Sequence, residues 1–242
     1  MSYCVGMLTK NGLGFMSDTR TNAGLDDLAK FKKLKTWSIK GDRVVSILSA
    51  GNLATTQAVI NNLNREVNNL DESIFLAASM HQIAQIVGNN LRKVIRMQAD
   101  TGMGAEIGFK ATLILGGQIT GEAPKLYLIY PEGNFIEATS DTPFFQIGEM
   151  KYGRPILLRG YRNDLTLQDS IKLLLVSFDS TIKANLTVGF PLDFHIYAKD
   201  SFKVGLQGRI EDDNPYLVDI RRAWSTGLNS LLDSLPELRL HL

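Results

Sequence analysis

The sequence predicts an α+β fold in which two antiparallel β-sheets pack face to face and helices cover both outer sides. Strand-like segments occur in hairpin groups, and helix-like segments occur between those groups rather than after each single strand. This order argues against a parallel βαβ sheet, in which strands and helices alternate. The 242 residues contain no linker, repeat or low-complexity tract. We therefore expect one domain over residues 1–242, long enough to bury a sizeable core.

Apolar and β-branched runs bounded by turn residues predict the strands. They occur at residues 3–8, 13–16, 34–39, 43–50, 109–115, 125–130, 134–137, 144–147, 189–197 and 202–210. Asn11-Gly12 is a strong hairpin signal between the first two strands. Residues 21–33 are polar and are interpreted as a loop.

Apolar residues spaced by three and four predict the helices. Asn52 and Thr166 are the expected starts of two of them, and Asn214-Pro215 is the expected start of the last. A short helix, broken near Pro155, is expected over residues 152–160. The predicted buried stripes are Val59, Leu63, Val67 and Leu70; Leu76, Met80, Ile83, Val87, Leu91 and Val94; Ile171, Leu174, Leu175, Phe178 and Ile182; and Leu217, Ile220, Trp224, Leu228 and Leu231.

Composition excludes several classes of protein. The net charge of +1 provides no strong field for nucleic acid or an anionic membrane. The single cysteine, Cys4, excludes an internal disulfide framework and is typical of a reducing compartment. We find no signal-peptide pattern and no apolar run of the roughly 18 residues that a membrane span needs. We expect a soluble cytoplasmic protein that binds neither nucleic acid nor membrane.

The first 52 residues contain a pattern that indicates chemistry. Ser2 directly follows Met1 at the start of the first predicted strand. If Met1 is removed, Ser2 carries a hydroxyl group and a free α-amine. A serine hydroxyl is a poor nucleophile until a base takes its proton. An α-amine has a reference pKa of about 7.7–8.0, close to the pH at which a base must work.

The sequence resembles the proteasome-type N-terminal nucleophile hydrolases, and within them the bacterial ancestral β-subunit group called Anbu. The resemblance is carried, in order and over nearly the whole chain, by residues 1–6, 17–24, 31–34, 49–57, 148–155, 177–180 and 188–189. It implies a four-layer αββα sandwich and hydrolysis of peptide bonds through an acyl-enzyme. It implies no metal and no cofactor.

The resemblance also implies roles for four residues, Ser2, Asp18, Lys33 and Gly51. Ser2 is the expected nucleophile, and the Lys33 ammonium is expected to lower the pKa of the α-amine by like-charge repulsion. Asp18 is expected to pair with Lys33, and the Gly51 N–H to face the developing oxyanion. Lys32 competes with Lys33, which is preferred because the family places an apolar residue after its catalytic lysine.

The supporting residues of the family are not all present. Where the family places a serine, and later an aspartate and a serine, this sequence has Glu149, Asn185 and Val188. The support must therefore differ, and Glu149 and Asp179 are the candidates for it. The alternatives are an interface salt bridge for Glu149 and a helix-surface charge for Asp179.

By their position within the resemblance, Ser49, Thr21 and Asn22 are expected to line the substrate pocket, although Ser49 could simply end a strand. Family members self-assemble, so we expect a homo-oligomer, with stacked helical rings rather than closed rings as one form. The expected substrates are short peptides or unfolded chains. Whether an ATPase partner exists is left open.

Other functions stay open as alternatives. An N-terminal nucleophile could cleave small amides, or a blocked N-terminus could leave a non-catalytic scaffold particle. A Ser-His-Asp triad using His195 near Asp193 ranks low because no G-x-S-x-G elbow occurs. Cys4 is interpreted as a buried small hydrophobic residue. The histidines His81, His195 and His241 are not in a metal-ligand spacing.

Overall fold

The computed structural model describes residues 2–22, 28–66, 72–99 and 106–237. The strands are β1 (Tyr3–Thr9), β2 (Gly12–Asp18), β3 (Arg20–Asn22), β4 (Leu28–Lys30), β5 (Leu34–Ile39), β6 (Arg43–Gly51), β7 (Ala111–Ile119), β8 (Lys125–Ile129), β9 (Phe135–Glu137), β10 (Phe144–Gly148), β11 (Leu192–Ala198) and β12 (Leu206–Ile210). The helices are α1 (Leu53–Arg65), α2 (Met80–Ala99), α3 (Arg154–Gly160), α4 (Leu167–Ala184) and α5 (Pro215–Asp233), and a 3₁₀ turn spans Glu106–Phe109.

The described strands form two antiparallel five-stranded sheets. One has the order β10-β1-β2-β11-β12 and the other the order β5-β6-β7-β8-β9. The predicted α+β fold with two antiparallel sheets is confirmed. The predicted loop over residues 21–33 is wrong in part, because β3 and β4 pair as a small third sheet. Strands of three residues are too short to show the apolar alternation by which a sequence could reveal them.

Hydrophobic clusters define four layers. One cluster lies between the two large sheets, one packs the β5–β9 sheet against α1 and α2, and one packs the other sheet against α3, α4 and α5. Alternate side chains of strand β6 enter two different clusters. Val44 and Leu48 belong to the cluster between the sheets, and Val45 and Ile47 belong to the cluster under α1 and α2. Because both faces of the sheets are covered, these strands are nearly continuous apolar runs.

The predicted helix starts at Asn52, Thr166 and Asn214 agree with the structure, and the prediction for Pro155 differs. The Asn52 and Thr166 side chains accept from Thr55 N and Asp169 N, which caps α1 and α4. Pro155 lies in the first turn of α3, where a missing N–H costs nothing, so it begins that helix instead of breaking it.

Two predicted apolar stripes differ from the structure. Leu76 precedes α2 and is 46% exposed, and Val67 and Leu70 lie outside the described residues. On α5, Leu217 is buried, but Leu228 and Leu231 are 46% and 58% exposed. Helix α5 packs on α4, and the hydrophobic cluster on that side includes Leu217 and Ile220 but neither Leu228 nor Leu231, so the second half of the stripe lies outside the core.

Strand ends meet at one edge of the sandwich. Because the pairs are antiparallel, the start of β1 lies beside the ends of β2 and β10, and the start of β5 lies beside the end of β6. The Cys4 thiol donates to the Ser49 carbonyl oxygen at 3.5 Å, which joins the two edges. The residues predicted for the catalytic site come from these ends.

We find no helix, within the described ranges, whose length and apolar character would let it cross a membrane.

Candidate active site

An ion pair between Asp18 and Lys33 lies at the centre of the converging strand ends. The Lys33 Nζ atom donates to Asp18 Oδ1 at 2.6 Å and to the Arg20 carbonyl oxygen at 2.6 Å. Both side chains are buried, with 6% and 0% exposure for Lys33 and Asp18. Burial raises the pKa of Asp18, and the Lys33 ammonium opposes that rise. The Asp18 carboxylate therefore depends on the Lys33 ammonium to stay ionised in this site.

The neighbouring lysine, Lys32, is exposed and is not paired with Asp18. Successive residues of an extended segment point to opposite sides. That alternation turns Lys33 inward and Lys32 outward. The geometry thus agrees with the preference for Lys33 over Lys32.

The Ser2–Tyr3 peptide is held directly against this pair. The Tyr3 N–H donates to Asp18 Oδ1 at 2.9 Å, the same oxygen that Lys33 contacts. The Ser2 carbonyl oxygen accepts from the Glu149 N–H at 2.7 Å. A Cβ on Gly148, whose φ is +84°, would overlap this carbonyl oxygen. Ser2 is therefore positioned through its own main chain, one peptide from the ion pair.

Tyr3 anchors the same segment from the other side. Its hydroxyl lies 2.7 Å from Ser177 Oγ and accepts from Gln146 Nε2 at 2.7 Å, and its ring packs on Phe178. Burial raises the pKa of Tyr3 to about 12, so the phenol stays neutral. Tyr3 and Ser177 lie in stretches that carry the resemblance, whereas Gln146 lies in none of them. The signal available in the sequence for Tyr3 is its position directly after Ser2.

Gly51 ends β6 with its N–H directed toward the Lys33 side. The Asn52 N–H donates to the carbonyl oxygen of Lys110, which directly precedes β7, whereas the Ser49 N–H donates to Lys33 O. Since N–H groups two residues apart in a strand share a side, the Gly51 N–H points the way that Ser49 does. Gly51 has φ +116°, and a Cβ there would lie 2.5 Å from Lys110 O. Only glycine fits this position without strain.

Glu149 is joined to this region, and Asp179 is not. The buried Glu149 carboxylate accepts from Lys151 N at 2.9 Å and from Asn185 Nδ2 at 2.8 Å, while its own N–H holds Ser2. Asp179 is also buried, but it pairs with Arg221 at 2.7 Å and Lys183 at 2.9 Å.

The Asp179 carboxylate thus ties α4 to α5. Its contacts correct both predictions for it, because it is neither joined to the Asp18–Lys33 pair nor a surface charge. Asn185 takes part in the support of Glu149.

A cleft of about 440 Å³ opens beside Lys33, between β5 and α1. Ser49 lies in its wall, as expected of a pocket residue. Thr21 does not line the cleft; its backbone pairs with Ala29 in the β3–β4 sheet. The side chain of Asn22 lies outside the described part of the chain.

Cys4 and His195 are both buried side chains with structural contacts. Burial raises the pKa of the Cys4 thiol, so it is a poor nucleophile. His195 Nε2 accepts from the Gly205 N–H at 3.3 Å, so neutral His195 carries its proton on Nδ1, which lies 2.8 Å from Ser46 Oγ. The imidazole therefore donates to Ser46 and cannot take its proton.

Asp193 does not complete a triad with His195. Its carboxylate forms two hydrogen bonds with Arg209, at 2.7 and 2.9 Å. The Ser-His-Asp alternative is thus contradicted, and His195 is a link between the two sheets.

We expect His195 to make the protein sensitive to acid. Burial lowers the pKa of His195 from 6.5 to about 4, so its contribution to stability is complete above pH 6.5 and is lost as the pH falls toward 4. The free energy of unfolding should fall by about 2–3 kcal/mol between pH 7 and pH 4.5 because of this residue. Denaturant titrations of the wild type and of His195→Gln, at both pH values, measure it. An equal loss in both proteins would contradict the assignment.

Comparisons with known proteins agree with this geometry. The sequence matches the family described as Proteasome subunit over residues 2–194. Anbu (ancestral beta-subunit) from Yersinia bercovieri is similar to it, with a TM-score of 0.92 and 45% identity over 98% of this chain and 100% of that one. The helical assembly of the Anbu complex from Pseudomonas aeruginosa gives a TM-score of 0.91 and 43% identity, covering 98% of both chains.

A more distant relative is proteasome subunit beta 1 of Caldivirga maquilingensis. It is 28% identical over 173 residues, which cover 70% of this chain and 75% of the relative. The family match spans most of the chain, and the likeness to the Anbu structures extends over nearly all of it. This chain therefore belongs to the proteasome subunit family, within its ancestral β-subunit (Anbu) group.

Proposed function

We propose that this protein is a self-assembling, proteasome-like peptidase that cleaves peptide bonds with Ser2 as nucleophile after Met1 is removed. Met1 itself lies outside the described residues. One observation carries the proposal: Asp18 Oδ1 accepts both the Tyr3 N–H and the Lys33 ammonium. This shared oxygen supports a position for Ser2, the residue bonded to Tyr3, beside a buried cation that is anchored by an acid.

The reaction follows from the charges in this arrangement. The Lys33 ammonium disfavours a second positive charge nearby, so it lowers the pKa of the Ser2 α-amine and keeps that amine available as a base. The amine takes the hydroxyl proton while Oγ attacks the carbonyl carbon. The Gly51 N–H, at the start of α1, donates to the oxyanion that forms.

Collapse of the tetrahedral intermediate leaves an ester on Ser2. The protonated α-amine of Ser2 returns its proton to the leaving amine, and the first product departs. Water, activated by the same amine, then attacks the ester and releases the second product. Glu149 supports these steps from a distance, because its N–H holds the Ser2 carbonyl oxygen while Asn185 holds its carboxylate.

We also propose that the active form is a homo-oligomer. The related protein from Pseudomonas aeruginosa is described as a helical assembly, which supports stacked helical rings of this chain. An enclosed particle restricts entry to short peptides and unfolded chains. The single cysteine, Cys4, supports a cytoplasmic location.

The test offers the assembled protein a panel of peptides, a panel of small amides and an electrophilic peptide probe. We expect cleavage of peptides and covalent labelling of the chain by the probe. Cleavage confined to small amides would favour an amidase. Absence of cleavage and labelling, together with a blocked N-terminus, would favour a scaffold particle.

A further inference from the structure

The floor of the cleft beside Lys33 carries a second lysine. Residues two apart in an extended chain share a face, so Lys35 and Trp37 of β5 lie on the same side as Lys33, which directly precedes the strand. Trp37 Nε1 donates to Asn64 Oδ1 of α1 at 2.8 Å, which shows that this side faces α1. Lys35 therefore lies between the Asp18–Lys33 pair and Trp37, and its Nζ is 5.9 Å from the Trp37 ring centre.

The opposite wall of the cleft is one stripe of α1. It consists of Leu53, Thr56, Gln57, Ile60 and Asn61, spaced by one, three and four along a single helix face. These side chains are uncharged. Two are aliphatic, two are amides that can donate hydrogen bonds, and one is a hydroxyl whose proton is used by the Leu53 carbonyl oxygen.

The residues that line this cleft give it a positive charge. The ionisable residues that line it are Lys32, Lys33 and Lys35, and none of the described lining residues is a carboxylate. Lys33 is neutralised by Asp18. Among the ion pairs of the described residues, none involves Lys32 or Lys35.

We infer that this cleft selects substrates with a glutamate side chain next to the scissile carbonyl, and that Lys35 determines the preference. The inference rests on the proposed function. Lys33 and Ser49 border the cleft, and the Gly51 N–H points to the same side. A carbonyl held by that N–H therefore directs its own side chain into the cleft. Leu53 and Ile60 suit an aliphatic stem, and Lys35 suits its terminal carboxylate.

The size of the cleft agrees with this occupant. Its volume of about 440 Å³ lies within the range of ligand pockets, about 300–1,000 Å³. The amides of Gln57 and Asn61 add donors to a carboxylate, which accepts hydrogen bonds only.

The test uses electrophilic peptide probes that differ only in the side chain beside the electrophile: glutamate, glutamine or leucine. The measurement is the rate of covalent labelling of the assembled protein. We expect the glutamate probe to react about three- to tenfold faster than the glutamine probe at low salt. The ratio should shrink in about 0.5 M salt, because exposed charges are screened.

Variants assign the preference to Lys35. The glutamate-to-glutamine ratio should fall to about one in Lys35→Met, drop below one in Lys35→Glu and persist in Lys35→Arg. The matched control is Lys40→Met, which removes an exposed lysine from the turn at the far end of β5 and should leave the ratio unchanged. Assembly size and circular dichroism check that each variant folds.

Two kinds of result would overturn the inference and are distinguishable. The preference is overturned if the glutamine or leucine probe labels the protein as fast as the glutamate probe or faster, or if the glutamate-to-glutamine ratio is unchanged in Lys35→Met. Either result leaves the proposed peptidase function standing. Labelling by none of the three probes overturns the proposed function and the preference together.

Discussion

Replacing Ser2 with alanine is expected to abolish covalent labelling by the electrophilic peptide probe and to leave the assembly intact. The substitution removes Oγ but keeps the main-chain contacts that hold this residue, from Glu149 N and through Tyr3 to Asp18. Loss of a nucleophile lowers rates by about three orders of magnitude or more in hydrolases of this mechanistic kind. The measurement is the labelling rate, with particle size followed by light scattering.

The control for this substitution is Ser2→Thr, which keeps a hydroxyl and an α-amine on the same residue. We expect Ser2→Thr to retain labelling. If Ser2→Ala is labelled at the wild-type rate, the nucleophile lies elsewhere in the chain.

Lys33→Met is expected to abolish labelling and also to destabilise the fold. It removes the cation that neutralises Asp18, whose Oδ2 atom already has no hydrogen-bond partner of good geometry among the described residues. Breaking a buried ion pair by removing one partner costs about 3–5 kcal/mol. The labelling rate and the free energy of unfolding, from denaturant titration, are the two measurements.

A double variant separates the two effects. Asp18→Asn combined with Lys33→Met removes both charges, so much of the lost stability should return while labelling stays absent. The matched single control is Lys32→Met, which removes an exposed neighbouring ammonium and should leave the free energy of unfolding within about 0.5 kcal/mol of wild type. Recovered labelling in the double variant would show that the cation is not needed for the chemistry.

The sequence predicted secondary structure best where a local residue pattern alone determines the element that forms. Hairpin turns and apolar runs predicted most strands, because strands buried on both faces leave a clear run. The small β3–β4 sheet escaped prediction because its strands have three residues each. The stripe on α5 was misread at Leu228 and Leu231, since an apolar helix face does not reveal how far the chain's own core extends.

In the candidate site, likewise, some residues could be predicted from the sequence and others could not. Its central residues, Asp18, Lys33 and Gly51, could be named together because the family resemblance implies their roles, and each of them lies at or directly beside a strand end. Their supporting contacts depend on distant segments. The link from Glu149 to Asn185 joins residues 36 positions apart. Pairing of Asp179 with Arg221 spans 42 positions. No local pattern records such contacts, so the first was missed and the second was misassigned.

The most direct measurement is mass spectrometry of the protein after reaction with the peptide probe. We predict that the labelled N-terminal peptide begins at Ser2, lacks Met1 and carries the probe on that residue. An adduct found on another residue, or a labelled chain that still retains Met1, would contradict the central claim that the freed terminus performs the cleavage.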